Sequence, residues 1–151
     1  MRWEELLAPD PRYPRVDAPN RILMVSSLSF LMPMLAAFHA DAVYAAIAAA
    51  NLVVTSVLYH MTKDVYYFWV DQAAIFLYVV AAVYEAFFKR KMFHQILVGV
   101  LTIYSTCLYH YGYMNTCYIW DEDCGLSSAH HAGLHFVSAL AGAIAFLPIS
   151  V

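Results

Sequence analysis

Five long apolar blocks dominate this chain and restrict it to one class of fold. Each block is roughly 17–24 residues long, which is the length that an α-helix needs to cross about 30 Å of hydrocarbon. Apolar residues run continuously through the blocks, rather than alternating as in a half-buried strand. Only 13% of the residues are charged, against roughly 25% in a soluble domain. The sequence therefore predicts an all-α, polytopic membrane helix bundle of about five transmembrane helices.

The predicted spans follow one another with short connections, except for a longer loop over residues 112–126. They cover residues 21–39, 41–60, 66–88, 93–111 and 127–148. Pro33 is expected to kink the first span, because proline cannot donate the backbone hydrogen bond of a helix interior. We predict that residues 1–20 form an N-terminal interfacial tail and that residues 21–151 form a single transmembrane bundle.

Ionisable side chains within these spans are the candidates for a functional site. Such a group costs at least about 2.5 kcal/mol in hydrocarbon, so it usually faces the bundle interior and carries function. Counting the crossings places His60, Asp71, His131 and His135 near the same membrane surface, on three different helices. His131 and His135 are four residues apart and therefore share one helix face. This convergence predicts a site.

Three imidazoles and a carboxylate are the groups of a catalytic zinc site. Zinc held by three protein ligands keeps a fourth position for water, and it activates that water at neutral pH. We therefore predict that His60, His131 and His135 bind Zn²⁺. Asp71 is the candidate that accepts a proton from the water and passes it to a leaving group. Ser56, one turn before His60, could orient Asp71 or a ligating histidine, or donate to an oxyanion.

Two other interpretations stay open at the level of the sequence. A haem-b protein would use His60 or His110, together with a histidine of the fifth span, as axial ligands. A non-catalytic small membrane subunit or scaffold of a larger complex would use its histidines for structural or headgroup contacts. The segment 55–60 is also echoed by the segment 105–110, which makes His110 a candidate replacement ligand or substrate contact.

At these residues the chain resembles the CREST superfamily of membrane hydrolases. This superfamily includes alkaline ceramidases, progestin and adiponectin receptors, and lipid-remodelling proteins of GPI-anchor maturation. Its pattern is a Ser and a His one turn apart on the second helix, an Asp on the third, and a His-x-x-x-His pair on the last. Ser56-x-x-x-His60-Met-Thr, followed by Asp71, is similar to the alkaline ceramidase version. The last helix, with His131-x-x-x-His135, is more similar to the receptor and GPI-remodelling branches.

The resemblance implies a zinc-dependent integral-membrane hydrolase that cleaves a ceramide-like amide through zinc-bound water. Residue by residue, it implies that His60, His131 and His135 ligate zinc. Asp71 would then hold the catalytic water, and Ser56 would support the metal centre. It also implies a membrane lipid as the substrate and an endomembrane location, in the ER or Golgi; we expect no nucleic-acid partner.

The number of spans departs from the family pattern. Family members have seven spans, whereas this sequence predicts five. The missing pair thins the wall around a lipid-binding cavity. A homo-oligomer or a larger membrane complex would fill that gap, and a catalytically silent form is the alternative.

Overall fold

The computed structural model describes residues 19–89 and 91–147, which form helices and short connections. The predicted tail lies outside the described residues except for its last two positions, and so does the predicted end of the last span at Pro148. The helices are α1 (Arg21–Ser27), α2 (Leu31–His39), α3 (Val43–Thr62), α4 (Val65–Lys89), α5 (Met92–Asn115) and α6 (Cys124–Phe146), with 3₁₀ turns at Leu28–Phe30 and Tyr118–Trp120. At every described end, the helix boundary lies within four residues of the boundary of the predicted span.

A 3₁₀ turn shortly before Pro33 divides the first predicted span into two α-helices. The helix α1 ends at Ser27, a 3₁₀ turn covers Leu28–Phe30, and α2 begins at Leu31. Pro33, in the first turn of α2, has no N–H to donate to the carbonyl of Ser29, four residues earlier, and Ser29 lies in the 3₁₀ turn rather than in α-helix. The break lies within one turn of the proline.

The described helices confirm the prediction of an all-α membrane bundle. Four helical stretches are long and apolar enough to cross a membrane: Arg21–His39, Val43–Thr62, Val65–Lys89 and Met92–Trp120. The helix α6 is 23 residues long, but its histidines and serines make it less apolar. It packs against α1, α2, α4 and α5, so protein surrounds much of this more polar helix.

Alanine dominates the positions where the helices meet. Small side chains allow membrane helices to approach closely, because no hydrophobic force between the helices compensates for poor packing. Fully buried alanines occur on α2, α3, α4 and α6, at Ala37, Ala45, Ala49, Ala86, Ala139 and Ala145. In contrast, α5 buries only His94, Val98 and Gly112. The loosely packed α5 therefore leaves space between itself, α4 and α6.

The Tyr78 side chain of α4 lies directly against Gly142 of α6, and we expect Gly142→Ala to destabilise the bundle. A Cβ at this position would overlap the hydroxyl of Tyr78 and lie 3.1 Å from Pro33 Cβ. Tyr78 would have to leave its hydrogen bond to the Ser138 carbonyl, 3.1 Å away. Overpacking of this kind costs about 1–3 kcal/mol, which a thermal unfolding curve in detergent would register as a lower midpoint.

Gly133→Ala is the matched control on the same helix. A Cβ at Gly133 meets no atom within 4 Å, and alanine favours the helix over glycine. We expect the midpoint to stay or rise for this variant. Equal midpoints for the two variants would contradict the close approach at Gly142.

Candidate metal centre

Three histidines from two helices converge at one end of the bundle. His60 lies in the last turn of α3, and His131 and His135 lie on one face of α6. Their ring centroids are 4.7 Å apart for His131 and His135, 5.0 Å for His60 and His131, and 5.3 Å for His60 and His135. Each ring offers one nitrogen, and these three atoms lie within 4.8 Å of one another. The cluster could hold a metal ion.

Asn20 and Lys63 surround the end of α3 that carries His60. The backbone N–H of Asn20 donates to the carbonyl of His60 at 3.0 Å, and the Asn20 side-chain amide donates to Ser128 Oγ at 2.9 Å. Asn20 therefore ties the start of α1 to the end of α3 and the first turns of α6. Lys63 Nζ lies 3.4 Å from His60 Nδ1 and 4.9 Å from the centroid of the Tyr59 ring. Burial lowers the pKa of Lys63 to about 8.

Ser26 forms a hydrogen bond with one nitrogen of His135, which leaves the other nitrogen facing away from Ser26. Ser26 Oγ lies 2.9 Å from His135 Nδ1, and the same hydroxyl donates to the Leu23 carbonyl at 3.0 Å. A hydroxyl has only one hydrogen, so a Ser26 hydroxyl that donates to Leu23 accepts from His135, and in that tautomer the proton is on Nδ1. The lone pair on Nε2 is then free to bind a metal. Partners of this kind orient metal-bound histidines and raise their basicity.

We expect Ser26→Ala to weaken metal binding without removing it. Loss of a partner to a metal-ligating histidine costs roughly 10–100-fold in metal affinity, which competition with a chromogenic chelator measures. Ser29→Ala is the control, because Ser29 Oγ is buried and has no hydrogen-bond partner among residues 19–89 and 91–147. Equal metal affinity for the two variants would contradict the role of Ser26.

Asp71 is buried on α4, 4% exposed, and is held by a residue that the sequence did not single out. Thr55 Oγ1 donates to Asp71 Oδ1 at 3.0 Å.

Ser56, one position further along α3, is also buried, and its hydroxyl lies 2.9 Å from Ser27 Oγ. Ser27 Oγ also lies 2.8 Å from the Leu23 carbonyl, to which it can donate. The structure thus places Ser56 between α3 and α1, and its predicted role at the metal stays a prediction.

A cavity of about 320 Å³ opens from the histidines into the bundle. Its wall includes His131, His135 and Asp71 at one end. From Asp71 the lining continues along α4 to Val83, which corresponds to about 18 Å at about 1.5 Å per residue. Most of the wall is apolar, and α5 contributes hydroxyl groups at Thr102, Ser105 and Thr106. The volume lies within the range of small-molecule sites, about 300–1,000 Å³.

His110 lies in the wall of this cavity, outside the three-histidine cluster. Tyr59 and Tyr109, which precede the histidines of the two similar segments, also line the cavity. This position favours a contact with the cavity's occupant over the role of replacement ligand. His130, next to His131, points elsewhere and packs against the Tyr118 ring with centroids 5.2 Å apart.

Comparison with known proteins assigns no family. No protein-family model, curated protein or solved structure matches the chain. The resemblance to the CREST superfamily therefore stays a prediction, which rests on the residues quoted for it. The geometry of the histidines and the cavity stands independently of that resemblance.

Proposed function

We propose that this protein is a zinc-dependent hydrolase of endomembranes that cleaves the amide bond of a ceramide-like lipid. One observation carries the proposal: a cluster of three histidines lies at the end of a long apolar cavity that a buried carboxylate also lines. The residue pattern shared with the alkaline ceramidases supports the amide and the endomembrane location.

Zinc is the ion that suits the donor set best. Imidazole nitrogens bind zinc, copper, iron and nickel, and three histidines with one open position are a known catalytic zinc arrangement. His60, His131 and His135 would hold the ion. Bis-imidazole haem is less suitable, because its axial rings stand on opposite sides of a flat macrocycle, whereas these rings converge on one point. When bound, zinc supplies a nucleophile at neutral pH and polarises a carbonyl.

The protein's own residues would position the substrate and move the proton. Asp71, oriented by Thr55, would accept a proton from the attacking water and return it to the leaving amine. This use of one carboxylate as base and then acid is general acid–base catalysis. His110 of α5 lines the same cavity as His131 and His135 of α6. It would contact the polar part of the lipid.

The apolar part of the cavity would bind the hydrocarbon of the substrate. Ile75, Val79 and Val83 follow one another along one face of α4 and line the wall. Burying apolar surface against them contributes roughly 25 cal/mol per Å². A lipid whose chain lay along this face would therefore present its linkage to the histidines.

The substrate class is tested with purified protein in lipid nanodiscs. Ceramide and a diacyl phosphatidylcholine are supplied separately, and released fatty acid is measured by mass spectrometry. We expect release from ceramide, loss of that release with 1,10-phenanthroline, and recovery when zinc is added. Release from the glycerolipid alone would overturn the amide assignment. No release from either lipid by zinc-loaded protein would leave a non-catalytic subunit as the better explanation.

A further inference from the structure

The outer face of α3 carries a heptad pattern of side chains that the described part of the bundle leaves mostly exposed, although Tyr44 at one end contacts Tyr84 and Glu85 of α4. Successive steps of three and four residues give Tyr44, Ile47, Asn51, Val54, Leu58 and Met61. Exposure is 45% for Tyr44, 56% for Ile47, 58% for Val54 and 42% for Met61. Asn51 is also exposed, and Leu58 is half-buried. Spacing of this kind is that of a left-handed coiled-coil seam.

Asn51 is the residue of this seam that does not suit lipid. It lies about 12 Å along the helix from Val43 and about 16 Å from Thr62, near the middle of the span. Within the part of the chain that the structure describes, its amide forms no hydrogen bond. An amide that faces hydrocarbon without a hydrogen-bond partner is energetically unfavourable. A hydrogen-bonding partner at the same depth would remove that cost.

The seam borders a groove that can receive a helix. The groove has a volume of about 610 Å³, with α3 on one side and α4 on the other. Ala48 and Ala81 form its floor, and Tyr44 and Tyr84 lie at one end. Small residues of this kind allow a second backbone to approach closely.

We propose that α3 pairs in parallel with α3 of a second copy of this chain, with the two Asn51 side chains hydrogen-bonded across a two-fold axis. Copies inserted in the same orientation present their α3 helices parallel. A two-fold axis then places each Asn51 opposite its counterpart at the same depth. One amide donates while the other accepts, and a single asparagine at a seam position favours a parallel, in-register dimer. A different protein would need a polar group at that same depth, whereas a second copy always has one.

Cysteine cross-linking in liposomes tests the geometry with the full-length chain. Cys107, Cys117 and Cys124 are first replaced by serine, and single cysteines are then introduced at Ile47, at Val54, or at Ile103. The first two lie in the seam, and Ile103 is a lipid-facing control on α5, 64% exposed. We expect oxidation to trap a dimer through Ile47→Cys and Val54→Cys and not through Ile103→Cys. Cross-linking through Ile103→Cys to the same extent would overturn the proposal.

Dilution in bilayers tests the role of Asn51 separately. Single-molecule photobleaching counts labelled chains per spot at decreasing protein-to-lipid ratios. Asn51→Leu, which suits a lipid-facing position, is expected to weaken dimerisation by roughly fivefold to thirtyfold. Asn51→Gln keeps the amide and should retain most of the association. A wild-type protein that stays monomeric at every ratio, or an Asn51→Leu variant that dimerises as well as wild type, would overturn the proposal.

Discussion

Replacing His131 with alanine is expected to abolish metal binding and lipid hydrolysis together. The His131 ring packs against both of the other rings, with centroids 4.7 Å from His135 and 5.0 Å from His60. Removing a hydrogen-bond partner of a metal-binding histidine lowers metal affinity by roughly 10–100-fold. Removing the histidine itself should lower the affinity by more than that. Metal content after gel filtration, measured by mass spectrometry, and fatty-acid release from ceramide are the two readouts.

His130→Ala is the matched control for this prediction. It removes an imidazole from the neighbouring position of the same helix, where the ring packs on Tyr118. We expect metal content and hydrolysis close to wild type. If His130→Ala loses metal as fully as His131→Ala, then the loss reflects damage to α6 rather than removal of a ligand.

Replacing Asp71 with asparagine is expected to separate catalysis from metal binding. The amide has the shape of the carboxylate and can keep the contact with Thr55 Oγ1, which is 3.0 Å from the wild-type oxygen. However, an amide cannot accept the proton that the reaction requires. General acid–base catalysis contributes about 10²–10⁴-fold, so the turnover number should fall by that factor while the metal stays bound.

The control for Asp71 is Asp64→Asn, which changes an exposed carboxylate just before α4. Turnover should be unaffected by this variant. An Asp71→Asn protein that loses its metal would instead make Asp71 part of the metal site. An Asp71→Asn protein with full turnover would remove it from the mechanism.

The helices, and the convergence of the three histidines, could be predicted because both depend only on the order and spacing of residues along the chain. Apolar length defines a span, and alternate crossings decide which ends share a membrane surface. His60 precedes the third crossing and His131 follows the beginning of the last, so the two had to lie at the same surface. The spacing of His131 and His135 then placed both on one helix face.

The supporting contacts could not be predicted, because they depend on how each helix is rotated about its axis. Thr55 and Ser56 are adjacent, and only the packing of α3 decides which of them reaches Asp71. The resemblance to the CREST superfamily drew attention to Ser56, yet Thr55 makes that contact. The contact of Ser26 could not be predicted for the same reason. Three serines within residues 26–29 stand out in an apolar span, but their spacing does not indicate that one of them contacts His135.

The metal content of the wild-type protein tests the three-histidine metal centre most directly. Protein purified from a zinc-containing medium should hold one zinc ion per chain. X-ray absorption at the zinc edge should show three imidazole nitrogens at about 2.0–2.1 Å, completed by oxygen. A protein free of bound metal after zinc loading, or one whose zinc is bound by cysteine sulfur, would contradict a three-histidine centre and the hydrolase built on it.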